Sequence, residues 1–160
     1  MGRAKLLRGE QIMKQMIYVM QFKGKAAPGA SANVLKASTS ASSNTVTTLV
    51  GKDSVQGKIE PVAGGTAQFE SEVTITGDTS FLEKGTIRFG DGNNRLHFST
   101  VGPGYLGDSA DAKLKSGAVM WRVDGGEGQF AGASGYITSN FTLSDTGDVT
   151  DNQFGVIFVK

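Results

Sequence analysis

Glu70 and Glu72 stand two residues apart in the run 66–76 (TAQFESEVTIT). On a strand, that spacing puts both side chains on one face, about 6.6 Å apart. Paired carboxylates at such a distance can work as acid and base on a glycoside. The same run sends Phe69, Val73 and Ile75 to the other face. The two glutamates therefore read as a solvated outer face, with Arg88 and Arg122 as cross-strand partners. His97 is the only histidine, and it alternates with Leu96 and Phe98. It falls on the polar face beside Ser99 and reads as a surface hydrogen-bonding residue rather than an acid–base group. Asp145, Asp148, Asp151 and Asn152 supply the oxygen ligands that calcium takes, but without the EF-hand spacing and its distal glutamate. They read as an acidic turn.

Three glycine-rich stretches imitate known motifs and fail on spacing. In Gly126-Glu127-Gly128 the third glycine of a dinucleotide loop would be Gly132, one residue too late. Between Gly51 and Gly57-Lys58 lie five residues rather than four, and Ile59 stands where a P-loop needs a hydroxyl. Gly132-Ala133-Ser134-Gly135 lacks the spacing of a nucleophile elbow. The residues alone assign no catalytic group.

Composition removes further classes. The chain has 160 residues and no cysteine, which excludes disulfides and thiolate chemistry. One histidine excludes a three-histidine metal site within the chain. No metal and no cofactor are expected. Net charge is +1 from 16 basic and 15 acidic side chains. Nucleic acid wants a basic face, and anionic lipid wants a polybasic cluster. Neither is expected as a partner. No 18-residue apolar run is present, so no membrane helix is expected.

The elements that must position these residues read as strands. Alternation recurs over 16–23, 33–39, 44–50, 55–62, 66–76, 80–89, 94–101, 117–124, 136–144 and 153–159, between Gly and Asx turns. The strands 33–39 and 44–50 are expected to pair across Ser40 to Ser43, and Gly64-Gly65 to turn the chain. Asp91-Gly92 is a hairpin signal. Residues 102–116 break the pattern, and Ser109 is placed to cap a short helical segment through Leu114. The expected fold is all-β: one antiparallel barrel of roughly eight strands, with a short helical or irregular segment near 103–115. Such a barrel is filled by side chains or holds one small ligand.

Residues 1–15 differ in composition and read as an N-terminal extension, with 16–160 as the barrel domain. Lys14 and Gln15 interrupt what would be the apolar part of a secretion signal, so a cytoplasmic location is expected. Arg8-Gly9-Glu10 can be encoded by purine-rich codons just upstream of Met13. Translation from Met13 or Met16 is one expectation, and a disordered or loosely helical arm is the other.

One segment carries a resemblance. Residues 126–135 read G-x-G-x-F-x-G-A-x-G, after a strand containing Trp121 and before one rich in aromatics. This resembles the turn of the allene oxide cyclase and dirigent superfamily. Phe22-Lys23-Gly24-Lys25-Ala26 is similar to the first strand of those barrels, and 151–159 to their last. The glycines permit positive φ and a bulged strand entry, while Phe130 can plug the barrel end. The resemblance implies an eight-stranded barrel, a homo-oligomer, and steric control of a reactive apolar substrate. No acidic catalytic position of that superfamily matches a residue here.

Three functions stay open. In one, the chain is a small-molecule cyclase or isomerase. Phe69, Phe89, Phe98, Trp121 and Phe141 then line a cavity for an apolar molecule, and Tyr105 sits at its mouth as lid and donor. In the second it is a non-catalytic ligand-binding barrel. In the third it is a structural, self-associating protein with Trp121 outside, because a one-residue slip exchanges the two faces.

Overall fold

A computed structural model describes residues 12–160. Residues 1–11 of the proposed extension lie outside the described residues, whereas Met13 and Met16 lie within them. Nine strands run β1 (Lys14–Pro28), β2 (Val34–Val50), β3 (Val55–Ile75), β4 (Ser80–Phe89), β5 (Asn94–Thr100), β6 (Gly104–Asp108), β7 (Leu114–Glu127), β8 (Ser134–Ser144) and β9 (Asp148–Val159). All pair antiparallel, and β3 closes onto β4, so the sheet is a ring. β5 and β6 occupy one lane between β4 and β7, broken at Val101–Pro103. The ring thus has eight lanes, and closure leaves open edges only where strands run past the ring, as in the far halves of β2 and β3.

Three expectations change. The segment 103–115 holds no helix: it forms β6, and Asp111 accepts from the Lys113 amide in a turn. Residues 34–50 are one strand, paired along its length with β3 rather than folded on itself. Their turn lies at residues 51–54. Gly64 does not turn the chain: at φ +153° it carries β3 past a register shift between Ser42 and Asn44. A side chain at Gly64 would collide with Ser43, whose hydroxyl donates to Gly65 O. The far halves of β2 and β3 project as an arm with Val46, Leu49, Val50 and Val55 exposed.

Alternation sorts the side chains as strand geometry requires. Phe22, Phe69, Ile87, Leu96, Phe98, Trp121, Ile137 and Ile157 fill the middle of the barrel. Trp121 packs on Phe98 at 4.5 Å and Phe69 at 5.5 Å between ring centres, and Phe69 stacks on Phe98 at 5.2 Å. These aromatics carry the largest share of buried apolar area. Trp121 is inside, so the reading that placed it on an outer interface is overturned.

The glycine-rich turn closes one end. Gly128 (φ +65°) opens a single 3-10 turn, Gly128–Phe130, that folds Phe130 inward onto Phe89 at 5.2 Å. At the other end four turns, between β1 and β2, β3 and β4, β6 and β7, and β8 and β9, surround an opening. Among the described residues no helix is long and apolar enough to cross a membrane.

Candidate functional site

The open end leads into a cavity of about 70 Å³, or about 600 Å³ with the space that opens to solvent. The enclosed part is small beside ordinary small-molecule sites, and the rest of the space is open mouth. Ala26, Leu35, Val73, Ile75, Leu106 and Leu143 form much of its apolar upper wall, and Phe69, Phe81, Trp121 and Phe141 the aromatic part. The barrel is therefore packed through its middle and hollow at one end.

Four polar residues interrupt this apolar lining: Thr39, Glu83, Ser139 and Asp151. Each owes its place to strand phase. On β4 the inward positions are Phe81, Glu83, Gly85 and Ile87, so Glu83 sits in an otherwise apolar column. On β9 they are Val149, Asp151, Gln153, Gly155 and Ile157. Both acids are buried.

Each carboxyl is held at both oxygens. Glu83 Oε2 meets the Ser71 hydroxyl at 2.5 Å, and Glu83 Oε1 accepts from Trp121 Nε1 at 3.2 Å. Asp151 Oδ1 accepts from the Ser139 hydroxyl at 2.5 Å, and Oδ2 from Gln153 Nε2 at 2.8 Å. Gln153 in turn accepts from the Tyr18 hydroxyl at 2.8 Å. These bonds fix the acids on a rigid wall and satisfy groups that burial would otherwise penalise.

Burial still wins over the hydrogen bonds. It pushes the Glu83 carboxyl up to about 7, against the lowering by Ser71 and Trp121 and with a further rise from the Asp151 charge. It pushes Asp151 up to about 6, against the lowering by Ser139 and Gln153. Two carboxyls near neutrality in one apolar cavity can exchange protons with a bound molecule at physiological pH. Thr39 differs from the rest: its Oγ1 is buried and has no hydrogen-bond partner among the described residues.

The candidate residues read from the sequence are divided by the structure. Phe69, Trp121 and Phe141 line the cavity. Phe98 lies behind them against Trp121. Phe89 lies at the closed end, edge-on to Tyr18 and stacked on Phe130. Tyr105 is 55 % exposed on the outer wall, and its neighbour Leu106 lines the cavity instead. The lid role expected for Tyr105 fails because 104–108 is a strand, and strand alternation turns Tyr105 outward.

The outer-face readings follow the same geometry. Arg88 pairs with Glu70 at 3.2 Å, whereas Arg122 pairs with Asp124 on its own strand. His97 bonds to Thr86 and Glu127 on the barrel's outer side. The acidic turn is split: Asp148 pairs with Lys25 outside, while Asp151 points inside. No group of three metal-ligating side chains occurs among the described residues. Glu83, Asp151 and Gln153 were missed as site residues. Polar residues in the apolar phase of a strand were the signal.

Comparison with known proteins places the fold. No family model matches the chain, and no curated protein matches it significantly. Solved structures do match. One is the structure of a pterocarpan synthase dirigent protein, with 18 % identity, a TM-score of 0.50, and coverage of 99 % of this chain and 96 % of that one.

Proposed function

We propose that this chain, which has the fold of the dirigent-like β-barrels, holds an apolar small molecule at its open end and isomerises or cyclises it by proton transfer. One observation carries the reading: Glu83 and Asp151 enter an apolar cavity together, each with its proton affinity raised toward neutrality. Environments that separate two carboxyls assign them different tasks. Between about 6 and about 7, Asp151 is ionised and Glu83 still carries its proton. Asp151 is then the base and Glu83 the acid.

The step balances without a co-reactant. Asp151 takes a proton from carbon, the electron pair moves along the substrate, and Glu83 returns a proton at another atom. The product is an isomer. Where the moving electron pair closes a ring, it is a cyclic isomer. The aromatic wall restricts the conformers that fit, which contributes by orientation. A solved structure of similar fold is that of a pterocarpan synthase dirigent protein.

The test uses 5-nitrobenzisoxazole, a flat apolar molecule that opens when a base removes its ring proton. Asp151 takes the C–H proton, the N–O bond breaks, and the phenolate leaves as the anion, with protonated Glu83 as hydrogen-bond donor to its developing charge. The proposal expects catalysis above free acetate, with a bell-shaped pH dependence between about 6 and about 7. Asp151→Asn should remove it, and Glu83→Gln should remove the alkaline limb. A probe that binds and is never turned over would leave a non-catalytic binding barrel.

A further inference from the structure

We propose that the Thr39 hydroxyl holds an oxygen atom of the substrate, and that the cavity therefore selects apolar molecules carrying a carbonyl group. This inference rests on the proposed site above. Buried polar atoms are almost always paired, because an unpaired one keeps its desolvation cost without compensation. Thr39 is 4 % exposed and lines the cavity, yet Oγ1 has no partner among the described residues.

The neighbours explain why it stays free. Thr39 lies opposite Gly24 on β1 and Phe69 on β3. Gly24 brings no side chain, and a Cβ there would collide with the Ser38 carbonyl. Phe69 brings only a ring. The hydroxyl is thus left without a partner in the wall, on a residue that lines the cavity.

The other polar groups fix what kind of atom it takes. The Ser139 hydroxyl donates to Asp151, and Glu83 is engaged by Ser71 and Trp121. An ionised carboxylate accepts and does not donate. Asp151, when ionised, offers no hydrogen, the Glu83 proton is the one transferred, and the unpartnered Thr39 hydroxyl suits an acceptor such as a carbonyl oxygen.

That assignment also fits proton abstraction. A carbonyl held by a donor draws electrons from the adjacent C–H. Asp151 takes that proton, the electron pair moves toward the held oxygen, and Glu83 delivers a proton further along. Solvent exchange restores the two carboxyls.

Fluorine NMR titration of the full chain with 4′-fluoroacetophenone and 1-ethyl-4-fluorobenzene tests the inference. The two probes share shape and differ in the carbonyl. The native protein should bind the ketone about tenfold more tightly, the order of one buried hydrogen bond. Thr39→Val should abolish that preference, and Thr39→Ser should keep it. Thr39→Val should also raise the melting temperature, because it removes an unpaired buried hydroxyl at constant shape. An undiminished preference in Thr39→Val overturns the role of Thr39 and leaves the site standing. A lowered melting temperature also overturns it, since the hydroxyl would then be bonded within the wall. Failure of both probes to bind removes the site itself, and this inference with it.

Discussion

Glu83 and Asp151 stand on opposite lanes of the ring. From β4 the path to β9 crosses three strands in one direction (β3, β2, β1) and three lanes in the other (β5/β6, β7, β8). Two acids so placed line one cavity from opposite sides, and the Asp151 charge raises the proton affinity of Glu83. They share one cavity and one electrostatic balance.

The balance predicts an acid-stabilised fold. Glu83 rises from 4.5 to about 7 and Asp151 from 3.8 to about 6 on folding. Between those limits the folded state binds more protons than the unfolded state, so stability falls as pH rises. The loss begins near 4, is complete just above 7, and for Glu83 alone is on the order of 3 kcal/mol. Urea unfolding across pH 4–8 should show it. Glu83→Gln, which can still bond to Trp121 and Ser71, should remove about half of the slope and stabilise the protein at pH 8.

Ser139→Ala should move one of the two transitions. The Ser139 hydroxyl lowers the proton affinity of Asp151 by donating to Oδ1. Its loss should push the Asp151 midpoint further up. Carboxyl carbon shifts followed by NMR against pH would report the change at Asp151, with Glu83 as the internal comparison. A downward move would contradict the hydrogen-bond assignment.

Trp121→Lys should abolish folding. The side chain is 1 % exposed, packed on Phe69 and Phe98, and bonded to Glu83. Lysine would place a cation in the aromatic cluster and remove the Glu83 partner. The milder Trp121→Phe should cost about 1–3 kcal/mol through the unpaired Glu83 oxygen alone. Circular dichroism and urea unfolding would check both. A folded, monomeric Trp121→Lys would restore the outer-interface reading.

The barrel was legible because its alternation is clean where both faces are constrained. The run 66–76 placed Phe69 inside and Glu70 outside, as found. The glycine-rich turn after β7 was legible because Phe130 is its one large apolar residue. What failed were breaks inferred from composition. Ser40 to Ser43 and Gly64-Gly65 looked like turns, but sheet pairing carries both strands through them. The acids were lost in a related way. Residues 145–152 read as a turn because aspartates cluster there, so β9 began too late and Asp151 never received a phase. Ile87 and Phe89 already had the right phase on β4. Carried back four positions from Ile87 it puts Glu83 inside, but a glutamate in a core column runs against ordinary burial. Thr39 gave no signal at all, because an unpaired hydroxyl is a property of its neighbours and not of its own spacing.

The two ends of the barrel should respond oppositely to substitution. At the closed end Phe130 is 3 % exposed and stacks on Phe89. Phe130→Ala should cost about 3–5 kcal/mol by cavity formation. It should leave probe affinity at the far end unchanged, because Phe130 is not among the residues that line the cavity. At the open end Leu143 lines the cavity and is only partly buried. Leu143→Trp has room to turn toward solvent, so stability should change by less than about 1.5 kcal/mol. The indole should nonetheless fill the mouth and weaken 4′-fluoroacetophenone at least tenfold. Loss of binding in Phe130→Ala with normal binding in Leu143→Trp would invert the assignment of open and closed ends. Paired unfolding and titration data on these two variants therefore test where the ligand enters, independently of what the carboxyls do to it.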